Sequence, residues 1–145
     1  MLSAYWRLRV RNSTDQTITY NSGGRLTAKV IPWKMTSGAM AQGAAITDDL
    51  GLIADGSIAA AAELEGDVQD NTLNLYIGFT GVFEVTADVN STDGTVDLYM
   101  EQSPDDTIWP SDQADFDITT DCILLARLTL STDAEDEDRA CCIEF

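Results

Sequence analysis

The sequence predicts an all-β fold: a single-domain antiparallel β-sandwich over residues 1–145, jelly-roll-like, with seven to nine strands. Three observations carry this prediction. Apolar residues recur with a period of two in most segments, which is typical of strands that bury one face. Gly, Asn, Asp and Ser separate these segments about every 8–12 residues, as turns do in a sandwich. The chain has 145 residues, a common size for one domain, and 44% of them are hydrophobic, enough for a core.

The first strands are predicted from the N-terminal third. Residues 5–11 alternate apolar and basic, so Trp6, Leu8 and Val10 are expected on one face and three arginines on the other. Residues 17–20 are rich in β-forming side chains, and the Asn-Ser-Gly-Gly run that follows is a turn. Residues 25–31 alternate again, and Pro32 is expected to end that strand or to mark it as an edge strand.

The segment 36–66 leaves two interpretations open. Asp55-Gly56 indicates a hairpin turn between two apolar runs. The alanine-rich run that begins at Ile58 would also suit two turns of helix, because alanine is the best helix former. Strand is favoured, since Gly56 and Gly66 enclose a segment that is short for a helix.

The clearest alternation covers residues 73–89, where the apolar side chains occupy odd positions on both sides of Gly81. Either a three-residue loop at 80–82 folds this segment into a hairpin, or one long strand bends at Gly81. Further strands are expected at 95–101, 122–130 and 139–145, with turns at 90–94 and 131–138. Residues 103–121 are expected to form a long loop that Ile108, Trp109 and Phe116 pin to the body.

The charge excludes several classes of function. There are 25 acidic residues, eight basic residues and no histidine, and the net charge is −17. Nucleic acid and anionic membranes carry the same sign and are not expected as partners. Without histidine, the usual nucleophile–base pairs are missing, so an enzyme is not expected, and no cofactor is predicted.

The basic residues are concentrated near the N-terminus. Residues 1–34 hold six of the eight basic residues and one acidic residue. Arg7, Arg9 and Arg11 share one strand face, which is either a solvated face, a docking surface for an acidic partner, or a set of intramolecular ion pairs. The docking interpretation makes these three arginines and Lys29 partner contacts, with Trp6 as a core or interface anchor.

The sequence offers two other kinds of site. The acidic loops could bind calcium, but the Asp88–Gly94 segment lacks the register of an EF-hand, and solvated loops are favoured, so no metal is predicted. Trp33 and Trp109 could offer rings for stacking on a carbohydrate, although Trp109 is better explained as the anchor of its loop. The N-terminus lacks the apolar run of a secretory leader and the three cysteines form no C-x-x-C motif, which favours reduced thiols in a cytoplasm.

Some segments resemble a known family. Residues 94–104, Gly-Thr-Val-Asp-Leu-Tyr-Met-Glu-Gln-Ser-Pro, and the following Asp-Asp-Thr-Ile-Trp-Pro are similar to small β-sandwich virion proteins of tailed bacteriophages, where a V-x-L-Y strand leads into a Ser-x-Asp loop. The opening Leu-Arg-Val-Arg-Asn-Ser-Thr-Asp-Gln-Thr is also similar. The resemblance implies a non-enzymatic capsid decoration (cement) protein, made in the host cytoplasm and located in the virion. Its partners would be the major capsid protein, copies of itself, or both. A tail component and a carbohydrate-binding module are the alternatives.

Overall fold

The fold is described from a computed structural model, which covers residues 1–14, 17–19, 26–49, 57–87, 94–130 and 137–145. Within these residues the chain forms twelve strands, one turn of 3-10 helix and one short α-helix. In chain order the strands are β1 (Tyr5–Asn12), β2 (Ile18–Thr19), β3 (Leu26–Thr36), β4 (Ala39–Gln42), β5 (Ile46–Asp49), β6 (Ser57–Ile58), β7 (Glu63–Glu65), β8 (Gln69–Asp70), β9 (Gly78–Ala87), β10 (Gly94–Ser103), β11 (Ile123–Leu130) and β12 (Glu137–Glu144). The 3-10 turn is Pro110–Asp112 and α1 is Ile118–Asp121.

Two antiparallel sheets pack against each other, which confirms the predicted all-β sandwich. Sheet 1 has the order β11-β10-β1, with β7 and β8 end to end along the far edge of β1. Sheet 2 has the order β12-β9-β3, with β4 and β5 sharing the far edge of β3. β2 and β6 form a separate two-stranded sheet, whose Ile18 and Ile58 are part of the core. The twelve described strands exceed the seven to nine predicted, because each of these two edges is built from two short strands and the β2-β6 pair adds two more.

The core lies between the sheets and is made from the alternating residues that the sequence singles out. Trp6, Leu8 and Val10 of β1 are at most 2% exposed. The Trp6 ring stacks on Phe79 of the opposite sheet, with 5.3 Å between ring centroids. In β12 the predicted inward face is also observed, with Ile143 buried against the core. One face of each central strand therefore supplies the apolar surface whose burial drives folding.

Pro32 does not end its strand, contrary to the prediction. β3 runs through Pro32, which is buried and pairs with Phe79 of β9. On the other side, the Pro32 carbonyl accepts a hydrogen bond from the Gly43 amide at 2.7 Å, in the gap between β4 and β5. The nitrogen of Pro32, which has no hydrogen to donate, faces the same gap, where no ladder bond is required.

Gly81 lies inside one continuous strand, so of the two alternatives for residues 73–89 the long strand is correct and the hairpin is wrong. β9 passes through Gly81 while paired with β3 on one side and β12 on the other. A Cβ atom at Gly81 would lie 2.2 Å from the Lys29 carbonyl oxygen, so only glycine allows this approach. The strand is shorter than the alternation suggests, since Leu73 and Leu75 precede it and are 90% and 68% exposed.

Two other segments complete the comparison. The described part of 36–66 contains strands and turns and no helix, as favoured, while the Asp55-Gly56 turn lies outside the described residues.

In β11 the register shifts opposite Leu98 and Tyr99. Beyond that shift Leu124 is 48% exposed, although the alternation predicted it on the buried side with Leu128. The turns predicted at 21–24, 90–93 and 131–136 lie outside the described residues.

Candidate functional site

The outer face of sheet 1 carries a cluster of charged side chains with a buried centre, called here the arginine cluster: Arg7, Arg9, Glu63, Glu65 and Glu101. Strand register creates it, because Arg7 lies opposite Glu101 on β10, and Arg9 lies opposite Glu65 on β7. Both arginines are nearly buried, at 7% and 8% exposure, and Glu101 is completely buried. Arg7 and Arg9, which were predicted to contact a partner, are therefore buried against residues of the same chain.

Ion pairs connect all five members of the cluster. Arg7 Nε donates to Glu101 Oε2 at 2.8 Å, and Arg7 Nη1 donates to Glu65. Arg9 Nη1 donates to Glu65 at 3.0 Å and to Glu101 at 3.2 Å, and its Nη2 donates to Glu63 at 3.3 Å. Of the three interpretations offered for the arginine face, intramolecular pairing is the one observed for Arg7 and Arg9. Arg11, further along β1, is only partly buried.

A third layer covers this cluster. The segment 104–122, called here the strap loop, crosses the outer face of sheet 1. The Trp109 ring lies 4.2 Å from the Arg7 guanidinium carbon, and the Phe116 ring lies 5.1 Å from that of Arg9. The Ser111 amide donates to Glu101 at 2.7 Å. Cation–π contacts and charge-assisted hydrogen bonds together hold the strap loop on the sheet.

Glu101 connects the two arginines to the strap loop, because it accepts hydrogen bonds from Arg7, Arg9 and the Ser111 amide. Burial raises the pKa of its carboxyl group, but hydrogen bonds from Arg7 and Ser111 and the charge of Arg7 outweigh the burial, so the net pKa lies below the ordinary value. The carboxylate form is thus kept inside the protein. Asp97, earlier on β10, is held in the same way: burial raises its pKa, and hydrogen bonds from Arg127, Thr95 and Ser13 lower it by more.

The two tryptophans predicted as carbohydrate contacts differ in position. Trp109 is only 6% exposed and lies against Arg7, which leaves its ring without a free face for a sugar. Its role as a loop anchor, the preferred interpretation of the sequence, agrees with this geometry, whereas its neighbour Ile108 is 58% exposed and is not the anchor that was predicted. Trp33 lies on β3 and is half-buried. Trp6 belongs to the core.

The outer face of sheet 2 differs from that of sheet 1. Register places Lys29, Val82 and Cys142 in one row across β3, β9 and β12, and Ile31, Thr80 and Glu144 in the next row. These six side chains, called here the open face, line a shallow groove of about 640 Å³. Within the described residues no loop crosses it as the strap loop crosses sheet 1. Lys29, one of the predicted partner contacts, is exposed here.

A hairpin arm extends from the same sheet. The last three residues of β3, 34–36, pair with β4 beyond the point where β9 begins, so among the described residues the tip has a strand on one side only. Ser37 and Gly38 both have positive φ, as a two-residue hairpin turn requires. Met35 and Met40 face each other across the arm and are 53% and 62% exposed.

The base of the arm is fixed by the loop at 71–77. Lys34 Nζ donates to the Asn74 carbonyl at 2.8 Å and lies 5.5 Å from the centre of the Tyr76 ring. The Ile77 amide donates to the Trp33 carbonyl at 2.9 Å. The arm is thus a supported element with an apolar tip.

The described residues contain no group of three or more Asp, Glu or Cys side chains placed to hold a metal ion. No helix among them is long and apolar enough to cross a membrane. Neither protein-family models nor curated proteins nor solved structures give a match to this chain.

Proposed function

We propose that the chain is a non-enzymatic virion structural protein of a tailed phage, a decoration protein that binds the outside of the assembled head and stabilises it. The hairpin arm is the observation that supports it best. An arm that carries two exposed methionines on a supported base is suited to insert between subunits of a larger assembly. Methionine is unbranched and polarisable, so it adapts to irregular apolar surfaces.

The charge distribution is consistent with this proposal. Two of the N-terminal arginines are occupied by the protein's own glutamates, so the remaining surface carries the excess of acidic residues. A strongly acidic surface keeps the free protein soluble before assembly. Adhesion must then come from a local apolar contact, which the arm provides.

The resemblance supplies the phage context. Its residues 94–104 form β10 and the start of the strap loop, so they include Glu101 and lead to Trp109. These positions contribute Glu101 to the arginine cluster and lead to Trp109, which lies over Arg7. The similarity is therefore to parts that organise the sandwich, and a partner contact would lie elsewhere on the molecule.

The test is binding of the purified chain to phage heads assembled without it, followed by gold-labelled antibody in electron microscopy. We expect label over the head surface. The double variant Met35→Ser, Met40→Ser should reduce occupancy by at least about tenfold, since it removes two apolar anchors that together contribute at least about 1.4 kcal/mol. Ile108→Ser is the matched control, because Ile108 is 58% exposed but lies in the strap loop.

The outcomes separate the proposal from its alternatives. Label confined to the tail would identify a tail component, and absence of the chain from purified virions would overturn the proposal. The partial exposure of Trp33 favours a carbohydrate-binding module, because the ring of Trp109, the other candidate, is buried. Glycan binding that is lost in Trp33→Ala, with no binding to heads, would support that module.

A further inference from the structure

The open face combines apolar side chains with two charged side chains of opposite sign. Lys29 lies at one corner of the groove and Glu144 at the diagonally opposite corner, two strands and two residues away. Neither makes an ion pair or a side-chain hydrogen bond with any described residue. Ile31 and Cys142 occupy the other two corners, and Val82, 37% exposed, lies between Lys29 and Cys142.

From this arrangement we infer that the open face binds a second copy of the same chain, face to face, about a two-fold axis. In such an interface the same patch on each copy meets itself, so residue i contacts residue j and residue j contacts residue i. An axis that lies in the interface along the Ile31–Cys142 diagonal places Lys29 of each copy opposite Glu144 of the other. Two equivalent ion pairs then form. Ile31 lies close to Ile31 of the other copy, and Cys142 lies close to Cys142 of the other copy.

Charge complementarity favours this occupant over others. A uniformly acidic partner would be repelled by Glu144, and a uniformly basic one by Lys29, whereas the face itself offers both charges in reciprocal positions. Complementary charges fix the register of an interface and disfavour wrong partners. The groove is largely apolar apart from these two corners, and its burial supplies the attraction.

The high net charge of the chain does not prevent this association. In about 0.15 M salt, charges further apart than a Debye length of about 8 Å are largely screened. Sheets that pack face to face lie about 10 Å apart, so side chains on the two opposed faces come into direct contact across the interface. The inference is independent of the virion assignment.

The test is the oligomeric state of the purified chain, measured by sedimentation and by light scattering at tens of micromolar protein in about 0.15 M salt. We expect a dimer. Lys29→Glu alone or Glu144→Lys alone replaces two ion pairs by two like-charge contacts and should raise the dimer dissociation constant by at least about tenfold. The double variant Lys29→Glu, Glu144→Lys should restore the dimer, because the charges are exchanged in register.

Mixing the two single variants gives the sharper result. A Lys29→Glu copy and a Glu144→Lys copy are complementary to each other, so a mixture should form heterodimers although each alone is monomeric. A short thiol-specific cross-linker should join Cys142 across the dimer, and Cys142→Ser should abolish the product. Circular dichroism and thermal melting show whether each variant is folded.

A monomeric wild-type chain would overturn the inference. So would a dimer that both single variants leave unchanged, because the association would then use another surface. Binding to phage heads is measured separately, and a monomer that still decorates heads would leave the proposed function standing.

Discussion

Replacing Glu101 by glutamine should destabilise the protein far more than the same change at Glu65, although both residues pair with Arg7 and Arg9. Glu101 is completely buried and accepts from Arg7, Arg9 and the Ser111 amide at 2.8, 3.2 and 2.7 Å. The Glu65 side chain is 47% exposed. The chemical change and the arginine partners are matched in the two variants, which differ in burial and in the Ser111 hydrogen bond that Glu101 accepts.

The magnitude follows from the contacts. Hydrogen bonds to charged groups contribute about 1.5–3 kcal/mol, and a glutamine side chain at this position would also turn an amide donor toward an arginine donor. We therefore expect Glu101→Gln to lower the free energy of unfolding by about 3 kcal/mol, or the melting temperature by about 6–12 °C. Glu65→Gln should cost no more than about 1 kcal/mol, as for exposed ion pairs.

Urea unfolding at pH 7, followed by tryptophan fluorescence, measures both values. Trp6 and Trp109 are buried and report on the core and on the strap loop. The slope of free energy against urea should be equal in wild type and variants if only stability changes. Equal costs for the two substitutions, or a cost below about 1 kcal/mol for Glu101→Gln, would refute the claim that burial makes Glu101 the key member of the cluster.

Three further predictions concern acid, a glycine and the strap loop. Because the folded-state pKa of Glu101 is depressed, its contribution to stability is full above its unfolded pKa and is lost as the pH falls through the folded value. The urea concentration at half-unfolding should therefore decrease as the pH is lowered below about 5, and it should decrease less in Glu101→Gln. Gly81→Ala should cost more than about 2 kcal/mol, because its Cβ would meet backbone at 2.2 Å, whereas Gly38→Ala meets nothing within 4 Å and should cost about 1–2 kcal/mol for its positive φ; equal thermal shifts would contradict this. Trp109→Ala should cost about 3–5 kcal/mol and expose the strap loop to limited proteolysis, while Ile108→Ala should leave the cleavage rate unchanged.

The strand faces could be predicted because they are local properties. Side chains of a strand alternate between its two faces whatever it pairs with, so the buried set Trp6, Leu8 and Val10 was evident from the letters alone. The same rule placed the arginines on the opposite face. It also places Glu101 on the polar face of its own strand, opposite to Leu98 and Met100. That placement was the available signal that Glu101 could be the acidic partner of the arginines.

The partners of the arginines were not predictable, because they depend on strand order. Arg7 and Glu101 are 94 positions apart in sequence and meet only because β10 lies beside β1. Glu63 and Glu65 lie in the segment 36–66, for which the sequence allowed both a strand and a helix. The errors at Pro32 and Leu124 have the same origin, since a split edge and a register shift are properties of neighbouring strands.

The sequence by itself determined the all-β class, the inward faces of the main strands and the excess of acidic charge, because periodicity and composition act at short range. Only the tertiary structure decided which charges are neutralised internally. It placed Arg7 and Arg9 under a strap loop anchored by Trp109, and left Lys29 and Glu144 on the open face of the other sheet. The physical reason is that burial of a charge is set by what packs over it, and that layer comes from a distant part of the chain.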